Sequence, residues 1–237
     1  MDIELDQPFF HFLRHQYLVC LLNVSQPLKT FRQIGLSVAM MLRLYRKKIG
    51  KTWFAAALDG KKIVMTNFAG DGKDALQPIL KGLPYGLPFE TMEKSDATAE
   101  ELFKVMSDIL EGRDVSFKFE FDLNRLPQAM RKVLEIMSLI PTGYVTTYGE
   151  LARVAETGPR VAGRACATNP FAPLVPCHRV VASDLSLHGY AGGLDLKWRI
   201  LHKEDRGYTE TSRVKLNGKE LSLFPINQLR QPRKNKN

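Results

Sequence analysis

From Thr52 the chain reads Trp53-Phe54-Ala55-Ala56-Ala57-Leu58, then Asp59-Gly60-Lys61-Lys62, then Ile63-Val64-Met65-Thr66. Two apolar runs around an Asp-Gly pair predict a β-hairpin. Across residues 96–111 the period changes: Leu102, Val105, Met106, Ile109 and Leu110 recur every three or four positions, and Gly112 follows. That pattern predicts a helix with a glycine stop. Over residues 116–123, Phe117, Phe119 and Phe121 alternate with Lys118, Glu120 and Asp122, which predicts a half-buried strand. Strands plus a helix up to about residue 122 make a small α/β unit.

The second half reads as helical. Met130, Val133, Leu134, Met137 and Ile140 form one apolar stripe that ends at Pro141-Thr142-Gly143. After a short extended link at Val145-Thr146, Thr147 and Glu150 have capping-box spacing and open a short helix through Leu151, Ala152 and Ala155. Thr157-Gly158 breaks it, and Pro159 suits the first turn of a second helix that runs to about residue 168. Two short helices joined by a tight glycine turn give a helix-turn-helix outline. Residues 1–50 read as an irregular preface ending in a basic stretch (Arg43, Arg46, Lys47, Lys48 and Lys51); one reading has translation start at Met40 or Met41, with the preface a mis-assigned extension. Residues 208–237 read as an extension, its last eight residues a disordered basic tail.

Composition narrows the classes. The 237 residues are 44% hydrophobic and 25% charged, the profile of a folded soluble protein of one to two domains. A formal charge of +9 makes a polyanion a natural partner without selecting nucleic acid. Cys20, Cys166 and Cys177 are too few and too unevenly spaced for a disulfide framework, so a reducing, cytoplasmic setting is expected. The acidic start (Asp2, Glu4, Asp6) lacks a signal peptide's basic region, and the apolar run over residues 17–22 falls short of the roughly 20 residues a spanning helix needs.

Candidate chemistry lies in the second half. Arg160 and Arg164 share one helix face with small residues between them. That face either approaches a nucleic-acid groove or is an ordinary solvated basic face. Cys177 stands between Pro176 and His178-Arg179. A neighbouring base and a positive charge promote a nucleophilic thiolate, and a buried structural cysteine is the alternative. Zinc on Cys166, Cys177, His178, His188 or His202, or on His11, His15 and Cys20, fits no compact ligand spacing, so no metal is expected.

Val175-Pro176-Cys177-His178-Arg179-Val180-Val181 resembles the signature of the O6-alkylguanine-DNA alkyltransferases, the methylated-DNA–protein-cysteine methyltransferases. Thr147-Tyr148-Gly149-Glu150 resembles the family's tyrosine-containing helix start, and Arg160, Asn169, Tyr190, Gly192-Gly193 and Glu204 fall at the family's spacing from the cysteine. The similarity is strong over residues 123–207 and architectural over 50–122. It implies a small N-terminal α/β (RNase H-like) domain over 51–122, then a helical, winged-helix-like domain over 123–207 carrying the helix-turn-helix.

By that resemblance Cys177 accepts the alkyl group of O6-alkylguanine, chiefly O6-methylguanine and also O4-methylthymine, in one irreversible turnover without a cofactor. His178 is the base through water, Glu204 fixes its tautomer, Tyr148 assists the leaving guanine and presses on the 3′ phosphate, and Asn169 braces the loop. The partner is double-stranded DNA, the target nucleotide is flipped, and the protein is a monomer. Arg160 is the finger that fills the vacated stack; Ala162, Gly163, Arg164, Ala167 and Ser183 join Tyr148 at the DNA. Val180, Tyr190, Ala191 and Gly192 line the alkylguanine pocket. Many relatives have two glycines where this chain has Gly163-Arg164, and an arginine there adds a phosphate partner. Other readings are a damage-recognition protein without chemistry, which the presence of Cys177 disfavours, an alkylation-sensing regulator, and a cysteine hydrolase.

Overall fold

The computed structural model describes residues 41–70, 72–216 and 218–230. The N-terminal half is a five-stranded sheet in the order β4-β1-β2-β3-β5. Strands β1 (Leu42–Ile49), β2 (Thr52–Asp59) and β3 (Lys62–Gly70) are antiparallel neighbours; β4 (Phe89–Thr91) runs parallel to β1, and β5 (Glu120–Phe121) parallel to β3. The turn predicted at Asp59-Gly60 joins β2 to β3, with Gly60 at φ +58°, where a side chain is disfavoured.

Both faces of this sheet are covered, which explains the unbroken apolar run of β2. Phe54, Ala56 and Leu58 face α2 (Ala97–Leu110) and pack with Leu102, Phe103 and Met106. Ala55 and Ala57 point the other way, into a smaller cluster with Leu42, Leu44 and Ile79 of α1 (Leu76–Gly82). Asp96 caps α2, its carboxylate accepting from the Ala99 N–H at 2.9 Å.

The reading of residues 1–50 as an irregular preface is corrected over 42–49, which form β1, an interior strand. Its charges disguise the alternation. Arg43 and Tyr45 both reach the Asp96 carboxylate, at 2.9 and 2.7 Å, and Lys47 pairs with Glu100. On the opposite face Arg46 and Lys48 lie over the Trp53 ring, each 5.9 Å from its centroid. Residues 1–40, with His11, His15, Cys20 and Met40, and residues 231–237 of the tail, lie outside the described residues. The strand expected over 116–123 keeps its inward alternation, but only Glu120–Phe121 pairs with β3.

The second half contains α3 (Gln128–Met137), β6 (Tyr144–Thr147), α4 (Tyr148–Val154), α5 (Pro159–Ala167), β7 (Val180–Val181), α6 (Leu194–Glu204), β8 (Ser212–Leu216) and β9 (Lys219–Pro225). A four-stranded sheet in the order β7-β6-β9-β8 was not foreseen. The segment after 207 is not only an extension. Ser212, Val214 and Leu216 alternate buried with exposed Arg213 and Lys215, and Leu221 and Leu223 answer them from β9. One buried cluster runs from Phe54 through Phe121, Leu134, Leu151, Phe171 and Cys177 to Leu223, crossing the 122/123 boundary. Among the described residues no helix is long and apolar enough to cross a membrane.

Candidate active site

The helix pair begins where β6 ends. Thr147 caps α4, accepting from the Glu150 N–H at 3.2 Å, as its spacing predicted. The Glu150 carboxylate does not close the box; it takes Arg153 at 2.8 Å and the Ser222 N–H at 3.1 Å. Pro159 occupies the first turn of α5. On α5, Arg160, Val161, Arg164 and Ala167 are exposed and Gly163 is half-buried, with open space where a Cβ would stand. Ala162 is fully buried, which corrects its assignment to the DNA face. At three-residue spacing it and Ala165 point inward, and their small size serves helix packing in the main core.

A loop leads from α5 to the cysteine. Asn169 braces it from both ends: its Oδ1 accepts from the Phe171 N–H at 3.0 Å and its Nδ2 donates to the Val175 carbonyl at 2.7 Å. The first half anchors the loop as well. Thr66 of β3 donates its N–H to Pro170 at 2.7 Å and its hydroxyl to Ala172 at 2.9 Å, and Phe171 packs edge-on against Phe121 at 4.7 Å.

Cys177 opens a single 3-10 turn, Cys177–Arg179, that runs directly into β7. Its thiol is buried, and burial pushes its pKa up; the Asn169 amide, the Lys197 charge and the N–H groups of Cys177 and His178 oppose that rise. His178 is fully buried beneath it, its Nε2 2.9 Å from Glu204 Oε1. Arg179 grips the same carboxylate with two nitrogens, Nε to Oε2 at 2.9 Å and Nη2 to Oε1 at 2.8 Å. It also reaches Ile140 and Thr142. Burial would raise the Glu204 carboxyl, but His178 and Arg179 hold it well below the carboxylate range. Burial pulls the His178 imidazole below its ordinary value, outweighing the charge and hydrogen bond of Glu204 that raise it, and the Arg179 and Lys197 charges add to the fall. Nδ1 of His178 has no hydrogen-bond partner among the described residues.

The wall beside the thiol comes from the loop before α6. Tyr148, half-buried at the start of α4, donates to the His188 carbonyl at 3.4 Å; burial pushes its phenol up to about 12. Tyr190 is half-buried against the main core, with burial raising its phenol too. A Cβ on Gly192 would stand 2.6 Å from the end of the Leu196 side chain and 3.1 Å from the Tyr190 ring, so any other residue here presses both aside. Ala191 and Gly192 are exposed, as is Ser183. The Val180 side chain lies in the core with Cys177, while Val181 joins a separate cluster with Val145 and Leu201.

Lys197 escaped the sequence reading. It is fully buried; its Nζ donates to the Val180 carbonyl at 2.6 Å and the His188 carbonyl at 3.0 Å, and lies 6.0 Å from the Tyr190 ring centroid. Burial draws the ammonium down to about 8. A signal existed: Lys197 shares the buried face of α6 with Ile200, Leu201 and Glu204, a charge inside an apolar stripe.

A mixed α/β chain with a helix-turn-helix packed against a buried, histidine-backed cysteine defines the class, a thiol-bearing α/β protein with a helix-turn-helix half. Residues 128–206 match the family described as 6-O-methylguanine DNA methyltransferase, DNA binding domain. A methylated-DNA–protein-cysteine methyltransferase of Candida albicans is 34% identical over 149 residues, which is 59% of this chain and 84% of that protein. One from Methanothermobacter thermautotrophicus is 42% identical over 96 residues, 40% of this chain and 54% of the relative. The match spans about half the length of two archaeal relatives, 54% of the Methanothermobacter protein and 50% of the Methanocaldococcus jannaschii one. The solved O6-methylguanine-DNA methyltransferase of Pyrococcus kodakaraensis superposes with a TM-score of 0.54 at 28% identity, covering 69% of this chain and 99% of that one. The chain belongs to the methylated-DNA–protein-cysteine methyltransferase family.

Proposed function

We propose that this protein reverses alkylation damage in double-stranded DNA by moving the alkyl group from guanine O6 onto its own Cys177. The observation that carries this reading is the buried Cys177 turn. There a histidine is held through Nε2 by Glu204, whose carboxylate Arg179 also grips, while its other ring nitrogen is unpartnered among the described residues. The step balances without a co-reactant. The Cys177 proton passes to His178, the sulfur forms a bond to the alkyl carbon, the carbon–O6 bond breaks, and its electron pair stays on guanine. Tyr148, whose phenol remains protonated at neutral pH, hydrogen-bonds to that departing base, which takes its proton from water while His178 returns the thiol's proton to water. A sulfur–carbon bond is not hydrolysed, so each molecule acts once. We place the reaction in the cytoplasm, on the nucleoid in a prokaryotic cell, because a reactive thiol is kept reduced there, and we assign it to a monomer.

The test is an intact mass after mixing with a duplex containing one O6-methylguanine. One methyl group on the Cys177 peptide is expected; lesion-selective binding with no mass gain would instead mean a recognition protein. The exposed Arg160 at the start of α5 fits the finger that replaces a flipped nucleotide. Arg160→Ala is therefore expected to slow transfer from duplex by roughly ten- to a hundredfold, the scale of a few kcal/mol of unstacking, and to spare transfer from free O6-benzylguanine. Equal losses on both substrates would remove that role.

A further inference from the structure

The C-terminal hairpin and the residues after it touch both sides of the reactive centre. β9 pairs with β6 in the register Tyr144–Pro225 and Val145–Phe224. The Ser222 carbonyl accepts from the Thr146 hydroxyl at 2.8 Å and its N–H donates to Glu150 at 3.1 Å, so these contacts flank Tyr148. Beyond β9 the chain makes one 3-10 turn, Ile226–Gln228, and buries Ile226 and Leu229 with Val145, Val181, Leu187 and Leu201. The Arg230 N–H then donates to the Leu185 carbonyl at 3.1 Å, and its guanidinium lies 3.5 Å from the Asp184 carboxylate.

Leu185 sits at φ +60°, a left-handed conformation that a leucine holds only where its surroundings fix it. The carbonyl of that residue is the one Arg230 takes. A few residues on, the same loop presents the His188 carbonyl, where Lys197 and Tyr148 both donate, and then Tyr190.

We infer that residues 226–230 are a positioning strap for alkyl transfer: Leu229 and the Arg230 N–H hold the 184–188 loop, and through it the His188 carbonyl and Tyr190, beside Cys177. The inference rests on the alkyl-transfer reading, and the strap acts through the loop without touching substrate or sulfur. It makes the segment after residue 207 part of the working site.

Arg230→Pro removes the N–H. The residue before it, Leu229, has ψ 136°, the extended backbone that a following proline requires. Arg230→Ala keeps the N–H and removes only the ion pair. Single-turnover rates against concentration of the methylated duplex separate the limiting transfer rate from the half-saturating concentration. Arg230→Pro is expected to lower the limiting rate by roughly threefold to tenfold, the scale of one hydrogen bond, with half-saturation unchanged. Amide exchange over residues 184–188 is expected to rise in the same variant. Arg230→Ala is expected to behave as the parent in all three. Equal limiting rates for parent and proline variant, or equal losses in the proline and alanine variants, overturn the strap. So does a loss that merely tracks the unfolded fraction in a thermal melt. If the parent itself gains no methyl group, the alkyl-transfer reading fails, and amide exchange, which needs no DNA, still decides whether the strap holds the loop.

Discussion

Cys177→Ser protein mixed with an O6-methylguanine duplex is expected to keep its mass while still binding the duplex. Serine is nearly the same size, and its hydroxyl stays within reach of the Asn169 amide that now faces the sulfur. The fold and the exposed face of α5 are therefore retained. What is lost is nucleophilicity, because an alcohol ionises far less readily than a thiol and is a weaker attacking group. Transfer is expected to fall by at least about a thousandfold, the scale of removing a nucleophile from a hydrogen-bonded unit. Mass spectrometry and a gel-shift on the same sample check both halves, and a methyl group found on the variant would sink the assignment of Cys177.

Glu204→Ala is expected to lower both stability and transfer. Glu204 is buried and is the shared partner of His178 and Arg179, so its removal strands a guanidinium with little access to water. Breaking a buried pair in this way costs about 3–5 kcal/mol. For a chain of this size that lowers Tm by about 6–20 °C. The imidazole also loses its orienting contact, and transfer falls by roughly a hundredfold or more. The sign with pH follows from the two shifted groups. His178, depressed below its ordinary 6.5, contributes stability that is complete above that pH and declines as pH falls through it. Glu204, depressed below its ordinary 4.5, adds a second decline at lower pH. Melts between pH 7.5 and 2 are expected to show Tm falling with acid in the parent, with the part of that fall below about pH 4.5 missing in Glu204→Ala. An unchanged Tm in the variant would mean that the carboxylate does not hold the pair together.

The residues that define the site were legible where they are contiguous or set by local geometry. Residues 175–181 compress the nucleophile, its histidine, the arginine and the strand behind them into seven positions, and Thr147 and Pro159 mark helix starts by rules that act within one turn. Glu204 was reached only through its spacing, since a carboxylate near a helix end is most often at the surface. Lys197 was missed because its two acceptors, Val180 and His188, are backbone carbonyls, which no side-chain motif advertises. Ala162 was misplaced because small residues suit a groove and a helix contact equally well, and only the three-residue phase relative to Ala165 separates them. β1 was hidden by charges whose partners, Asp96 and Glu100, lie about fifty residues away. The β8–β9 hairpin alternates cleanly, but its pairing with β6 is a tertiary fact.

The bridge from Thr66 to the Pro170–Ala172 backbone has a consequence in time. It joins groups 106 residues apart along the chain, and contacts of such separation are late to form because a large loop must close first. The loop that carries Cys177 is held partly by Thr66 and Phe121, so its final shape depends on both halves having docked.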